Sequence, residues 1–158
     1  MQHHFILRVV TKLLIPLILL FALYVQFHGD FGPGGGFQAG VILAAGLVLY
    51  AIVFDLDTAA DVIKEWVLLV FIPLGVLLYA GVGIATMLLG GNYLDYNLLA
   101  HDPVHGQHLG ILLVELGVGI TVASVLTAIF FSFAGRGQRD AEGKLIQEPT
   151  QAVDGERP

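Results

Sequence analysis

The sequence predicts an all-α integral membrane protein with four transmembrane helices and both termini in the cytoplasm. Three observations predict it. The chain of 158 residues is 56% hydrophobic and only 13% charged, with a mean hydropathy of +0.82, whereas a soluble domain has roughly a quarter of its residues charged. Four apolar runs approach or exceed the ~20 residues that a bilayer crossing requires. All seven Lys and Arg residues fall on one side of a four-span arrangement, and the positive-inside rule makes that side cytoplasmic.

The first span runs from about residue 5 to 27. Arg8 and Lys12 lie near its start on one helix face, where both are expected to snorkel to the cytoplasmic headgroups. A cleaved signal peptide does not fit: the apolar run is long, residues 24–27 offer no small-residue cleavage site, and another apolar segment follows closely. The second span, about 37–54, is short and almost purely apolar. The acidic stretch "DLDTAADVIKE" connects it to the third, and Asp57 or Thr58 is expected to cap an interfacial helix leading into Trp66. The third span covers about 66–89 and the fourth about 109–133. Phe27, Phe31, Phe37, Tyr93 and Tyr96 mark the outer boundary, and Phe54, Trp66, Phe130 and Phe131 the inner one. Residues 1–134 thus form a transmembrane domain. Residues 135–158 are polar, carry both signs and lack apolar periodicity, as expected of a flexible cytoplasmic tail.

Small residues recur at four-residue spacing: Gly36, Gly40 and Ala44 in the second span, Leu77, Gly81 and Ala85 in the third, Glu115, Gly119, Ala123 and Thr127 in the fourth. Such faces let helix backbones approach closely where lipid supplies no hydrophobic drive, and they predict a compact bundle. Pro16 and Pro73 each remove a backbone hydrogen bond and are expected to kink the first and third spans. Cysteine is absent, which excludes disulfides and thiolate metal sites. The net charge of −6 comes mostly from loops and tail, and with no basic patch nucleic acid is not expected as a partner. With four short spans and no internal repeat, the chain reads as a subunit of a larger machine.

Glu115, in "HLGILLVELGVGITVAS", is the sharpest chemical feature. It falls about seven residues into the fourth span, roughly 10 Å below the outer boundary at ~1.5 Å per residue. A carboxylate at that depth must be protonated, paired or turned toward a wet path. It is therefore a candidate proton- or cation-exchanging group, with interhelical hydrogen bonding as the plainer alternative. "HDPVHGQH" carries His101, Asp102, His105 and His108, a mix that zinc uses. Pro103 and Gly106 are expected to break the helical spacing of a zinc motif, leaving a pH-sensitive surface loop and no metal site. "FHGDFGPGGGFQAG" holds five glycines within eight positions. A phosphate loop needs a following Lys and hydroxyl residue, and a dinucleotide fingerprint needs a preceding strand. Neither is present, so the glycines are assigned to a tight turn stiffened by Pro33 and leading into a helix N-terminus.

That stretch resembles the signature of the B subunit of Mrp-type (also called Mnh or Pha) multisubunit Na+/H+ antiporters. Pro33, Gly34, Gly35, Gly36 and Phe37 match its Pro-Gly-Gly-Gly-Phe run, and Gly40 its small-residue helix. The similarity extends over about residues 6–133, with Glu115 at the acidic position of the last span. The resemblance implies a bacterial inner-membrane complex of several different subunits that expels Na+ in exchange for protons. It implies transport of Na+ and H+ driven by the proton gradient, no cofactor, and the other antiporter subunits and the bilayer as partners. Glu115, Asp30 and His28 become candidate ion-pathway residues. Two alternatives stand beside this one: a purely structural, non-conducting subunit, and the equivalent module of a membrane-bound hydrogenase or redox-linked pump.

Overall fold

A computed structural model describes residues 2–29, 32 and 34–135. Asp30, Phe31, Pro33 and the tail from 136 to 158 lie outside the described residues. The described residues form five α-helices: α1 (Gln2–His28), α2 (Gly36–Phe54), α3 (Leu56–Val62), α4 (Glu65–Leu88) and α5 (Pro103–Ala134), with a 3-10 turn at Tyr96–Leu98. Helices α1, α2, α4 and α5 are long and apolar enough to cross a membrane, which agrees with the four predicted spans. Only helices satisfy every backbone polar group within one segment in lipid, so hydropathy alone located them.

The four spans pack together: α5 lies against both α2 and α4, and α1 packs mainly on α2 and touches α5. All four contribute walls to one cavity. Glycine sets this order. On one side of α5, a methyl group added at Gly36 would run into the Glu115 carbonyl oxygen, and one at Gly40 would lie 2.8 Å from the Gly119 carbonyl oxygen. Both contacts advance by four residues, so α2 and α5 run parallel in fixed register. On the other side, a methyl at Gly117 would lie 2.7 Å from the Gly75 carbonyl oxygen and 3.1 Å from the Tyr79 nitrogen. Helix α1 lacks such a face and leaves Phe5, Leu13, Leu20, Phe21 and Phe27 exposed, which costs nothing against lipid tails.

The small-residue stripes expected on α2 and α5 are buried, but that of α4 is not the one predicted. Leu77 is exposed and Gly81 has nothing within 4 Å. The packed face is instead Leu68, Gly75, Val82, Gly83 and Thr86, because the seats of α4 must match Gly117 and the ring of Tyr93, which lies against Gly83. The buried Thr86 hydroxyl has the Gly83 and Asn92 carbonyls as acceptors at 2.8 and 3.1 Å and accepts from the Leu94 N–H at 3.0 Å. It thereby folds the α4–α5 connection back onto α4. Pro16 and Pro73 lie inside helices that continue through them.

Two boundaries differ from expectation at the end opposite the glycine turn. The connector after α2 is a separate short helix, α3, whose N-cap is Asp55 rather than Asp57 or Thr58. Asp55 adopts a positive φ of 76°, and its carboxylate accepts from Arg8 at 3.3 Å instead of capping. Arg8 and Lys12 both sit over the Phe54 ring, at 5.9 and 5.7 Å from its centroid. These exposed contacts tie the start of α1 to the end of α2 at modest gain.

Replacing Gly40 with Leu is expected to force α2 from α5 and destabilise the full chain by about 1–3 kcal/mol or more. Gly81→Leu, pointing into open space, is expected to stay within about 0.5 kcal/mol of the parent. Thermal melting of the full chain in detergent checks both.

Candidate functional site

The site is built where α1 ends and α2 begins. Gly35 is the N-cap of α2, with φ 114° and no side chain of its own to cap the helix. Its N–H donates back to the Val25 carbonyl of α1 at 3.3 Å, and its carbonyl accepts the first α2 bond from Ala39 at 3.0 Å. Gly34 presses on the same α1 turn, for a methyl there would lie 3.0 Å from the Val25 carbonyl oxygen. The turn is therefore tight because positions 34 and 35 lack side chains, and at Gly35 an L side chain is also conformationally strained.

Into this turn α5 delivers Glu115. A methyl at Gly29 would lie 2.5 Å from Glu115 Oε2, and one at Gly35 would lie 2.8 Å from Oε1. Three glycines thus surround Glu115, Gly29 and Gly35 at its half-buried carboxyl and Gly36 at its backbone. The first backbone N–H groups of α2 and the positive end of its dipole lie at this carboxyl, an environment suited to negative charge. Among the described residues, Glu115 is the only Asp or Glu inside the four spans away from their ends. Because α5 starts at Pro103, Glu115 lies twelve residues into it, about 18 Å along the axis. The glycine turn is thus level with the middle of α5, not with its end.

His28 closes α1, and its ring stacks on Tyr24 with centroids 5.1 Å apart; the Gly32 methyl position lies 3.6 Å from that ring. Phe37 is 60% exposed. Gly40 belongs to the helix seat on Gly119 rather than to the turn. Asp30 and Pro33 lie outside the described residues. One polar residue of the site was missed: Gln26, on α1, is 5% exposed and directs its side-chain oxygen at Gly119, one helical turn beyond Glu115. A glutamine inside the apolar run "LYVQFH" was the signal available.

The "HDPVHGQH" stretch is not the surface loop expected. Asp102 caps α5, accepting from the Val104 N–H at 3.3 Å, and Pro103 occupies the first turn, where its missing N–H costs nothing. Gly106 does not break the helix either. It is the seat on which the Tyr96 carbonyl and Asn97 rest. The His105 ring, with Nδ1 2.6 Å from Asp102 Oδ2, and the Val104 N–H hold the Asp102 carboxyl below its ordinary range. Among the described residues, no three His, Asp or Glu side chains gather as a metal site.

A four-span helical chain with one framed carboxyl at mid-helix and a broad apolar exterior defines a multi-pass membrane protein. The chain belongs to the MnhB family: the model for the domain related to the MnhB subunit of Na+/H+ antiporter matches residues 6–128. A relative from Staphylococcus aureus (strain Newman), provisionally named antiporter subunit mnhB2, is 31% identical over 138 residues, covering 85% of this chain and 96% of its own. The equivalent protein of Staphylococcus haemolyticus (strain JCSC1435) is 30% identical with the same coverage. Family and spans together make this a multi-pass protein of the bacterial inner membrane, of a transport family rather than an enzyme family.

Asp102→Ala is expected to fray the first turn of α5, seen as faster amide exchange at residues 104–106. A carboxyl held below its unfolded value stabilises fully above that value, near pH ~3.9 for Asp, and loses its contribution as pH falls through the lowered one. The cap is therefore expected to persist through mildly acidic pH and to open only below the ordinary carboxylate range. Amide exchange at the same residues across an acid titration measures this.

Proposed function

We propose that the chain is a membrane subunit of a multisubunit Na+/H+ antiporter and that Glu115 is a cation- and proton-exchanging group on its pathway. One observation carries this: a half-buried carboxyl in mid-helix, framed by Gly29 and Gly35 at the turn that leads into α2. Both carboxyl oxygens lie against positions without side chains, Gly29 and Gly35, so backbone comes close to each of them. Carboxylate and backbone oxygens are the ligands that a small hard cation takes.

The exchange follows from charge. Ionised Glu115 attracts Na+; protonated Glu115 does not. The two cations therefore compete for one group, and by linkage each weakens the other's binding to the same degree. Secondary antiport follows when the proton gradient drives that competition in one direction, without cofactor or ATP. Arg8 and Lys64 lie at the end of the spans opposite the glycine turn, and by the positive-inside rule this end is cytoplasmic, as are both termini. The glycine turn then faces the outer half of the membrane, where Na+ is released. Exposed apolar side chains of α1, such as Leu13, Leu20 and Phe21, are the surface offered to other antiporter subunits.

A non-conducting, structural role has one observation in its favour: the Glu115 backbone is itself the seat of Gly36. Glu115→Gln separates the two, because it keeps the backbone and size and removes the charge. Na+-dependent proton movement in inside-out vesicles is expected to fall by at least about tenfold with the complex intact, since ion–carboxylate attraction at an effective dielectric near 20 is worth ~4 kcal/mol. Wild-type turnover and Na+ dependence would leave only the structural role. In the parent, the half-saturating Na+ concentration is expected to rise as pH falls.

A further inference from the structure

Gln26 lies two residues before the end of α1, close enough for a long side chain to reach the headgroup region. It does the opposite. Its neighbours Leu23, Tyr24 and Phe27 are 47%, 58% and 61% exposed, while Gln26 itself is 5% exposed. Its side chain crosses toward α5, where a methyl at Gly119 would lie 2.6 Å from Gln26 Oε1 and 3.2 Å from the Gly36 carbonyl oxygen. Gly119 follows Glu115 by one turn on the same stripe of α5. The Gln26 amide, the Gly36 carbonyl and Glu115 therefore share one edge of that helix.

Among the described residues, Gln26 Nε2 is the buried side-chain polar atom without a hydrogen-bond partner. Such a group is destabilising, and a leucine there would avoid the cost altogether. Beneath it lies a cavity of about 320 Å³ walled by Leu43, Leu47, Phe71 and Ile120, with Ser124 as its other polar side chain. Its walls are otherwise apolar and carry no charged group. The charged group on the shared edge of α5 is Glu115, one turn from Gly119.

We propose that Gln26 is a second binding residue of the ion site, and that its amide and the Glu115 carboxylate together hold a monovalent cation with one retained water. The inference rests on the pathway role of Glu115. Oε1 ligates the ion and Nε2 donates to its water. A neutral amide adds ligation without a second negative charge, so the site carries a single charge, matched to a monovalent ion and removable by one proton. A carboxylate in the same place would repel Glu115 and keep a proton bound.

The test uses the assembled antiporter in inside-out vesicles, with NaCl titrated against choline chloride. Gln26→Leu is expected to raise the half-saturating Na+ concentration about tenfold, the scale of one interaction with a charged group. The rate at saturating Na+ should stay close to that of the parent, and Gln26→Asn should fall between the two. Gln26→Glu is expected to move the pH dependence of Na+ activation upward by adding a like charge beside Glu115. An assembled Gln26→Leu complex with the parent's Na+ dependence overturns the inference. If that variant does not assemble, Gln26→Glu decides, and an unchanged pH dependence overturns it. With Glu115→Gln scored in parallel, a defect there beside a normal Gln26→Leu refutes Gln26 alone. A normal Glu115→Gln refutes the pathway role and this inference with it.

Discussion

The structure depends on the seating of Gly36 against the backbone of Glu115. With no Cβ on α2 at that point, the N-terminus of one helix lies on the middle of another, and the register of the pair follows. Gly40 then meets Gly119 four residues on, and Ala44 and Ala123, a further turn along, are both buried. The same register carries the Glu115 carboxyl to Gly29 and Gly35 and places Gly119 beneath the Gln26 amide. One close backbone contact therefore decides both how the helices pack and which polar groups meet.

α5 performs this twice. Its other side carries Gly117 and Thr121, which receive Gly75 of α4. Two hydroxyls on α5 are satisfied within the helix: Thr121 donates to the Gly117 carbonyl at 2.9 Å and Thr127 to the Ala123 carbonyl at 2.7 Å. Such bonds let polar side chains sit in a close helix interface without an unpaired donor. Against this background Gln26 is the exception, a buried amide left with an open donor beside the one mid-span carboxyl. In a membrane, polar groups that packing does not account for mark function.

The four spans were legible because bilayer thickness and backbone satisfaction leave few alternatives, and the stripe from Glu115 to Thr127 was legible because its spacing is helical. What escaped the sequence was pairing. Gly81 and Gly75 look alike in an apolar run, and only the position of Gly117 on a partner helix makes Gly75 the seat. "HDPVHGQH" was read as a loop because Pro103 and Gly106 are helix breakers by propensity, yet Pro103 is favoured in a first helical turn and Gly106 is required by Tyr96 and Asn97 packing across it. Asp55 likewise took the cap position from Asp57 and Thr58 while giving its carboxylate to Arg8. Glu115 stood out in the sequence as a charge in an apolar run. Its frame of three glycines, some eighty residues away in the chain, is a tertiary fact.

The central claim is that the carboxyl at the glycine turn gives up its proton when Na+ binds. Infrared difference spectroscopy of the assembled complex, switching between choline and Na+ at constant pH, observes this directly. The account predicts loss of a protonated-carboxyl band on adding Na+, gain of a carboxylate band, and disappearance of both in Glu115→Gln. A parent spectrum with no carboxyl band responsive to Na+, or one that survives in Glu115→Gln, would contradict it.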